Sequence, residues 1–473
     1  MKALEKLIAR IVQRVNINLR ELDVDVFPYI EKIGSLEQLG KFYAFYGITP
    51  NHPLHLEFLN SNLAGSYFLG RCSVDHSILY KSDIRGDELK KKGDRYPYNG
   101  TTIPVYSDET IQIRDSFLMK TLVHCFSHDP ETLEDFFIDS TVSTHYANIH
   151  GAPVEGCFLE PFSTIDLTTA HDTVLGAFSY VQAGEIAHLK IDPGTVWVRS
   201  GSDFNFLYRY PREIIDRYIR FEAGSPPRGL LMDFVEERKE AFQRVFDVVN
   251  LEFTLPVPDS TSVDRYALIM PKSSFGENVL VAQRAYIENS VLGKGANAQE
   301  NCYLINTRME GFNVTAHGAK IMNVDLASNT FVGFNCFLIG KADARLTIGK
   351  GCIVMPHTII DLKEPVTIPD EHLVWGYIQS PADLEKHSIS LDKLSTVRDG
   401  MILGDLLFEG NGETFVHGFK HRIEHILESN GAFFDGTDKR GHAQKNQRIS
   451  FNTVQPYPDG EMEGMYPTIS IRP

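Results

Sequence analysis

Two histidines in this chain are spaced as metal ligands often are. His145 and His150 sit in Thr144-His145-Tyr146-Ala147-Asn148-Ile149-His150-Gly151-Ala152-Pro153-Val154, separated by four residues. A neutral imidazole is a common ligand for borderline metals, and zinc takes about four donors, one of them water at a catalytic site. On a plain strand, side chains five positions apart point to opposite faces. The two rings can therefore share a cleft only if the chain turns a corner between them. A third ligand is then still missing, and in a trimer it would come from a neighbouring chain. The spacing alone is weak evidence, because the chain has 17 histidines and such stretches are commonly solvated surface. Upstream lie two further segments with chemically versatile side chains, Ser82-Asp83-Ile84-Arg85-Gly86-Asp87-Glu88 and Thr121-Leu122-Val123-His124-Cys125-Phe126-Ser127-His128.

A second histidine pattern occurs near the C-terminus. His417, His421 and His425 recur every four residues in ETFVHGFKHRIEHILESN, which places them on one helical face. Unlike an H-E-x-x-H helix, this one has no carboxylate in the catalytic position, and Lys420 and Arg422 crowd it, so a solvated or interface helix is expected. The mixed cluster Glu236-Glu237-Arg238-Lys239-Glu240 reads as ordinary solvated surface.

The elements that must carry these residues follow from composition and period. With 473 residues, 42 % of them hydrophobic and 23 % charged, the chain should be globular and hold two or three domains. No apolar run is long enough to span a bilayer. In MKALEKLIARIVQRVNINL, Leu4, Leu7, Ile8, Ile11, Val12 and Val15 fall at helical spacing among charges, giving an amphipathic packing arm rather than a signal peptide. The net charge of −16 disfavours a nucleic-acid partner. Six cysteines without a C-x-x-C pair suit reduced thiols and a cytoplasmic protein.

Residues 1–60 read as a helical arm, 61–203 as short strands, 204–262 as a helical linker broken at GSPPRG, 263–380 as strands again, and 381–473 as a C-terminal helix and tail. In the second strand zone Ile348, Val354, Ile360 and Val366 stand six apart. So do Leu326, Val332 and Leu338, and Val281 and Ile287. A six-residue period is neither helix nor alternating strand; it marks a left-handed parallel β-helix, one inward aliphatic per face. In the first strand zone Leu159 and Ile165 keep the six, but Ile149, Val154 and Leu159 slip to fives. By period alone the first zone reads only as β-rich, and its assignment rests on the resemblance carried by its motifs. With it, the expected fold is mainly β, two left-handed parallel β-helix regions joined by α-helices.

The order IRGDE, then TLVH, then STHYANIHGAPV resembles the γ-class carbonic anhydrases of the hexapeptide-repeat superfamily, over roughly residues 68–200. The resemblance implies a homotrimer, or a multiple of three, with a metal at subunit boundaries: zinc, with iron or cobalt as alternatives. It implies His124, His145 and His150 as ligands, His145 and His150 from one chain and His124 from the next. It also implies an Arg85–Asp87 ion pair across the interface and Glu88 as proton-transfer carboxylate. Leu118 stands where the family carries a solvent-orienting Gln, Ser127 stands where some members carry a carboxylate, ELKKKGDRYPYNGTTIPVYSDE lengthens the stretch before His124, and His128 competes with it. The second strand zone resembles a decayed copy: Gln299 is kept, Asn306 replaces the first ligand, and His317 is followed five residues later by Met322.

Three functions follow as expectations. The first is a metal-dependent lyase or hydrolase in which metal-bound hydroxide attacks CO2 or another small electrophile. The second is an acyltransferase with a lone histidine, His317 or His357, as general base and acyl-CoA between subunits. The third is a non-catalytic trimeric scaffold. The partner in the first two is a small molecule, with no nucleic acid and no membrane.

Overall fold

The protein is described from a computed structural model that covers residues 2–41, 43–49, 55–98, 100–126, 135–247, 256–454 and 469–471. It divides into two compact units, residues 1–193 with 215–229 and 449–473, and residues 194–214 with 230–448. Each contains a parallel β-helix whose three faces are stacks of short strands.

In the first unit the inward side chains run Ile149, Val154, Leu159, Ile165, Ala170, Leu175, Val181, Ile186, all buried. Their spacing is five, five, six, so one coil takes 16 residues and Ile149, Ile165 and Val181 stack in register. The same holds for Val154, Ala170 and Ile186 on the second face, and for Leu159 and Leu175 on the third. The slip to fives seen in the sequence is the period of a tighter coil. The N-terminal helix Lys2–Asn18 lays Leu4, Leu7, Ile11, Val12 and Val15 on the outer side of the third face, against Ile78, Phe117, Val142, Phe158 and Val174. Apolar residues at both the inner and outer positions of those strands require such a cover. The arm is shorter than residues 1–60, because strands begin at Ala44–Ile48 and His55–Leu59. Ser450–Val454 and Ile469–Ile471 pair antiparallel with these two strands, satisfying edges that would otherwise be open. The lengthened stretch before His124 forms a two-stranded hairpin, Arg95–Tyr98 with Thr101–Pro104.

In the second unit Val281, Ala298, Thr315 and Val332 stack at 17-residue intervals, as do Ile287, Leu304, Ile321 and Leu338 on the next face. The aliphatics six apart fall on successive faces and meet in one core. At one corner Asn289, Asn306 and Asn323 each take a left-handed backbone, φ 44°, 49° and 56°, a conformation that Asn tolerates better than most side chains. Their amides form a ladder, Asn289 Nδ2 donating to Asn306 Oδ1 at 2.6 Å and Asn306 Nδ2 to Asn323 Oδ1 at 3.2 Å. The helices Leu230–Glu236 and Lys239–Asp247 lie over one face of this unit, with Phe234 against Tyr303 and Phe337 and Phe242 against Tyr286 and Tyr303. The segment after residue 380 holds more than a helix and tail: Gly400–Leu403 and Leu406–Gly410 form a hairpin that joins Phe204–Arg209 before the helix Gly412–Ser429.

Lys320 sits between Tyr303 and Phe337 in that helix-covered face and is 1 % exposed. Its ammonium donates to the Gly318 carbonyl. Burial pushes its pKa down to about 7, since desolvation penalises the charged form. Between about pH 7 and the unfolded-state value of about 10.4 the unfolded chain holds a proton that the folded chain lacks, so this lysine makes stability rise with pH across that window. Lys320→Met removes the ionisable group and keeps the stem. It should be more stable than the parent at pH 7 by an amount on the order of a few kcal/mol, with the difference closing towards pH 10. Denaturant melts of both proteins at several pH values check this, and a pH-independent difference would refute it.

Candidate functional site

The first face of the first unit contains the strands Asp83–Glu88, Leu122–Phe126, Asn148–His150, Thr164–Asp166 and Tyr180–Gln182. Ile84, Val123, Ile149, Ile165 and Val181 are the inward residues of this face, each fully buried. Alternation then turns their neighbours outward. The register aligns Arg85, His124, His150 and Asp166 in one outer column. A second column holds Asp83, Leu122, Asn148, Thr164 and Tyr180. Although they face outward, Arg85, His124, His150 and Asp166 are only 5, 6, 7 and 0 % exposed.

The polar groups of these columns are linked. The His124 and His150 rings lie 5.0 Å apart between centroids, and a ring nitrogen of one comes within 4.8 Å of one of the other. His150 Nδ1 donates to Asp166 Oδ1 at 2.8 Å, and the Tyr180 hydroxyl donates to Asp166 Oδ2. An acceptor at Nδ1 fixes the neutral tautomer and leaves the lone pair on Nε2. His124 Nε2 lies 3.2 Å from Glu88 Oε1. Arg85 forks onto Asp87 through Nε at 3.0 Å and Nη2 at 2.7 Å, and its Nη2 is 3.9 Å from Glu88.

Within one chain the expected residues are placed as follows. The pair brought together within one chain is His124 with His150, not His145 with His150. Positions 124 and 150 are one coil apart and meet in register, whereas His145 stands in the turn before the strand Asn148–His150. Among the described residues, no set of three or more donor atoms within 4.8 Å includes His145. Within the chain, Arg85 and Asp87 pair along a single strand, two residues apart and so on one face. Leu118 is an inward core residue stacked between Leu79 and Ser143, so it faces away from the histidine column. Ser127 and His128 lie outside the described residues.

The second unit shows what the same register holds without ligands. Ile305 and Met322 pair as His124 and His150 do, so the residue replacing the first histidine is Ile305; Asn306 belongs to the corner ladder. His317 sits at the turn three residues before its strand, as His145 does. Its Nδ1 is 2.7 Å from Glu300 Oε2, with both side chains buried. His357 is fully buried, and the Tyr210 hydroxyl donates to its carbonyl. His417, His421 and His425 are exposed on the helix Gly412–Ser429. Burial pushes the thiols of Cys157, Cys302 and Cys336 up to about 12, which leaves them unsuited to nucleophilic work.

Asp166 and Tyr180 did not emerge from the sequence. The usable signal is the 16-residue coil: Asp166 follows His150 by 16, as Ile165 follows Ile149.

Comparison with known proteins adds the following. Residues 101–223 match the family described as hexapeptide repeat including loop. A crystal structure of a Desulfovibrio desulfuricans protein named "putative acetyltransferase" is similar along the whole chain, with 52 % identity and TM-score 0.91, covering 100 % of this chain and 99 % of that one. A Bacillus cereus protein with the same name shares 13 % identity over 37 % of this chain and 92 % of that one, with a TM-score of 0.21 that supports no argument. No curated protein matches the chain.

The Arg85–Asp87 fork is almost fully buried, at 7 and 2 % side-chain exposure, so removing Asp87 takes from a buried guanidinium its bidentate partner and leaves the longer 3.9 Å contact with Glu88. Asp87→Ala should cost about 3–5 kcal/mol, and replacing both residues by apolar side chains should recover much of it. Chemical denaturation of the single and double variants measures this; equal losses in the two would refute it.

Proposed function

The chain belongs to the hexapeptide-repeat superfamily, and on that premise we propose that it is an acyltransferase, moving an acyl group from a thioester to a hydroxyl or amine. The observation that carries this reading is His150 held by Asp166 at 2.8 Å, with Tyr180 as the second donor to the same carboxylate. An imidazole oriented in this way presents Nε2 as a general base. It would take the proton from the acceptor as the acceptor oxygen or nitrogen attacks the thioester carbonyl. As the C–S bond breaks, the proton passes from the imidazolium to the departing thiolate. Positioned proton transfer of this kind contributes about 10²–10⁴-fold. The full-length relative named "putative acetyltransferase" supports the donor class. The expected candidates His317 and His357 are 1 and 0 % exposed; His317 also meets a carboxylate, Glu300, at 2.7 Å, and His150, whose carboxylate is held in turn by Tyr180, is the base proposed. Hexapeptide-repeat proteins commonly form trimers, and a homotrimer or a multiple of three is the assembly proposed here.

A second reading rests on His124 lying abreast of His150. Two imidazoles on one face, one of them braced by a carboxylate, fit the donor set of a divalent metal. Zinc suits them, with iron or cobalt as alternatives, and His145 from a turn of another copy would complete three ligands. Such a metal supplies hydroxide at neutral pH. In this reading Glu88, beside His124, moves protons and the Arg85–Asp87 fork holds Glu88 in place.

Protein purified without chelator, assayed for thiol release from acetyl-CoA against a panel of amines and alcohols, separates the two. Acyl transfer predicts turnover that survives a chelator and falls about 10²-fold or more in Asp166→Asn and His150→Ala. Stoichiometric zinc lost in His124→Ala and His145→Ala, with chelator-sensitive CO2 hydration and no thiol release, would replace it by the metal reading.

A further inference from the structure

The exposed histidine column of the second unit takes no part in either reading. Its helix, Gly412–Ser429, is firmly set. Asn411 caps it by accepting from the Glu413 and Thr414 amides. Phe415, Val416, Phe419 and Leu427 are buried on its inner side, with Phe415 stacked at 5.7 Å on Phe206 and 4.7 Å from Phe419. The outer side carries His417, His421 and His425, all exposed. The His417 and His421 rings already face each other at 6.4 Å between centroids, 35° from parallel. Among the described residues none of the three histidines makes a hydrogen bond or an ion pair. Two charged neighbours on the helix are engaged elsewhere: Lys420 binds Glu371 at 2.7 Å and Glu413 binds Arg398 at 2.9 Å. Glu424, exposed, stands one turn beyond His421, so His417, His421 and Glu424 occupy positions i, i+4 and i+7 of a single stripe.

We propose that His417 and His421, with Glu424 one turn further, form a surface site for a first-row divalent cation of the imidazole-preferring kind, zinc above all. Two ring nitrogens one helical turn apart can chelate one ion with bonds of about 2.0–2.1 Å after small rotations of the exposed rings. Glu424 offers an oxygen, and water fills the remaining positions. His421 is the shared member, since it pairs upward with His417 and downward with His425. Calcium, which takes six to eight oxygen ligands, does not fit this set.

The test uses the full chain carrying His150→Ala, which takes the paired imidazoles of the first unit out of the count. Zinc ion alone is titrated against a chromophoric competitor, with calcium as control. One zinc equivalent is expected, weakened by at least about tenfold in His421→Ala and less in Glu424→Gln, with zinc raising Tm in the His150→Ala protein and not in the variant lacking His421. Equal zinc affinity with and without His421, or equal displacement by calcium, would overturn the proposal. Circular dichroism of the His421→Ala variant should show the fold retained, since this side chain is exposed.

Discussion

Closing each coil requires one side chain per face to point inward and the chain to bend between faces, and the rest of both units is arranged around that requirement. An inward position admits only an apolar or small residue, because it sees no water and its neighbours above and below are equally buried. Ile149, Ile165 and Val181 satisfy it in one unit, and Ile287, Leu304, Ile321 and Leu338 in the other. The corners bend through left-handed backbone, which the asparagine ladder at 289, 306 and 323 both tolerates and reinforces. Coil length follows from how many residues each corner needs: 16 in the first unit and 17 through much of the second.

Fixing the inward residues also fixes the outer columns. With strands about 4.8 Å apart, every outward side chain sits beside the residue one coil away, whatever lies between them in sequence. This is how a hairpin inserted between Arg85 and His124 leaves their alignment intact. It is also how Asp166 comes to brace His150 and Glu88 to reach His124. A buried polar column is stable only when each member has a partner, and the run from Asp87 through Arg85 and Glu88 to His124, then His150, Asp166 and Tyr180, supplies them in turn. In the second unit the same register holds Ile305 and Met322. Polar chemistry has moved there to the corner, where His317 meets Glu300, and to Lys320, whose amine is desolvated among aromatic rings.

The amphipathic N-terminal stripe and the helices around GSPPRG have a matching logic. Lys2–Asn18 covers the outer strand residues Phe117, Val142 and Phe158, and Phe234 and Phe242 cover Tyr303 and Tyr286. Where the outer residues are apolar a helix lies over them, and an uncovered apolar face of that size would invite association.

The sequence by itself determined the parallel β-helix of the second unit, because aliphatics repeating every six residues fit neither helix nor alternating strand, and it determined the amphipathic arm that packs as a cover. In the first unit the slip to fives gave only a β-rich reading, and the β-helix rested on the resemblance. The sequence also singled out His145 and His150 by their spacing, and His124 with them through the order of three segments that resembles the γ-class carbonic anhydrases. What it left open was which of them meet. Two histidines five residues apart look like neighbours in the chain, while the true neighbours, His124 and His150, are separated by a full coil. Asp166, Tyr180 and the in-strand fork of Arg85 onto Asp87 were equally hidden, as was the identity of Ile305 as the counterpart of His124. Each depends on register between coils. Register is set by the exact length of every corner and insertion, a property of the folded stack that no local window of residues contains.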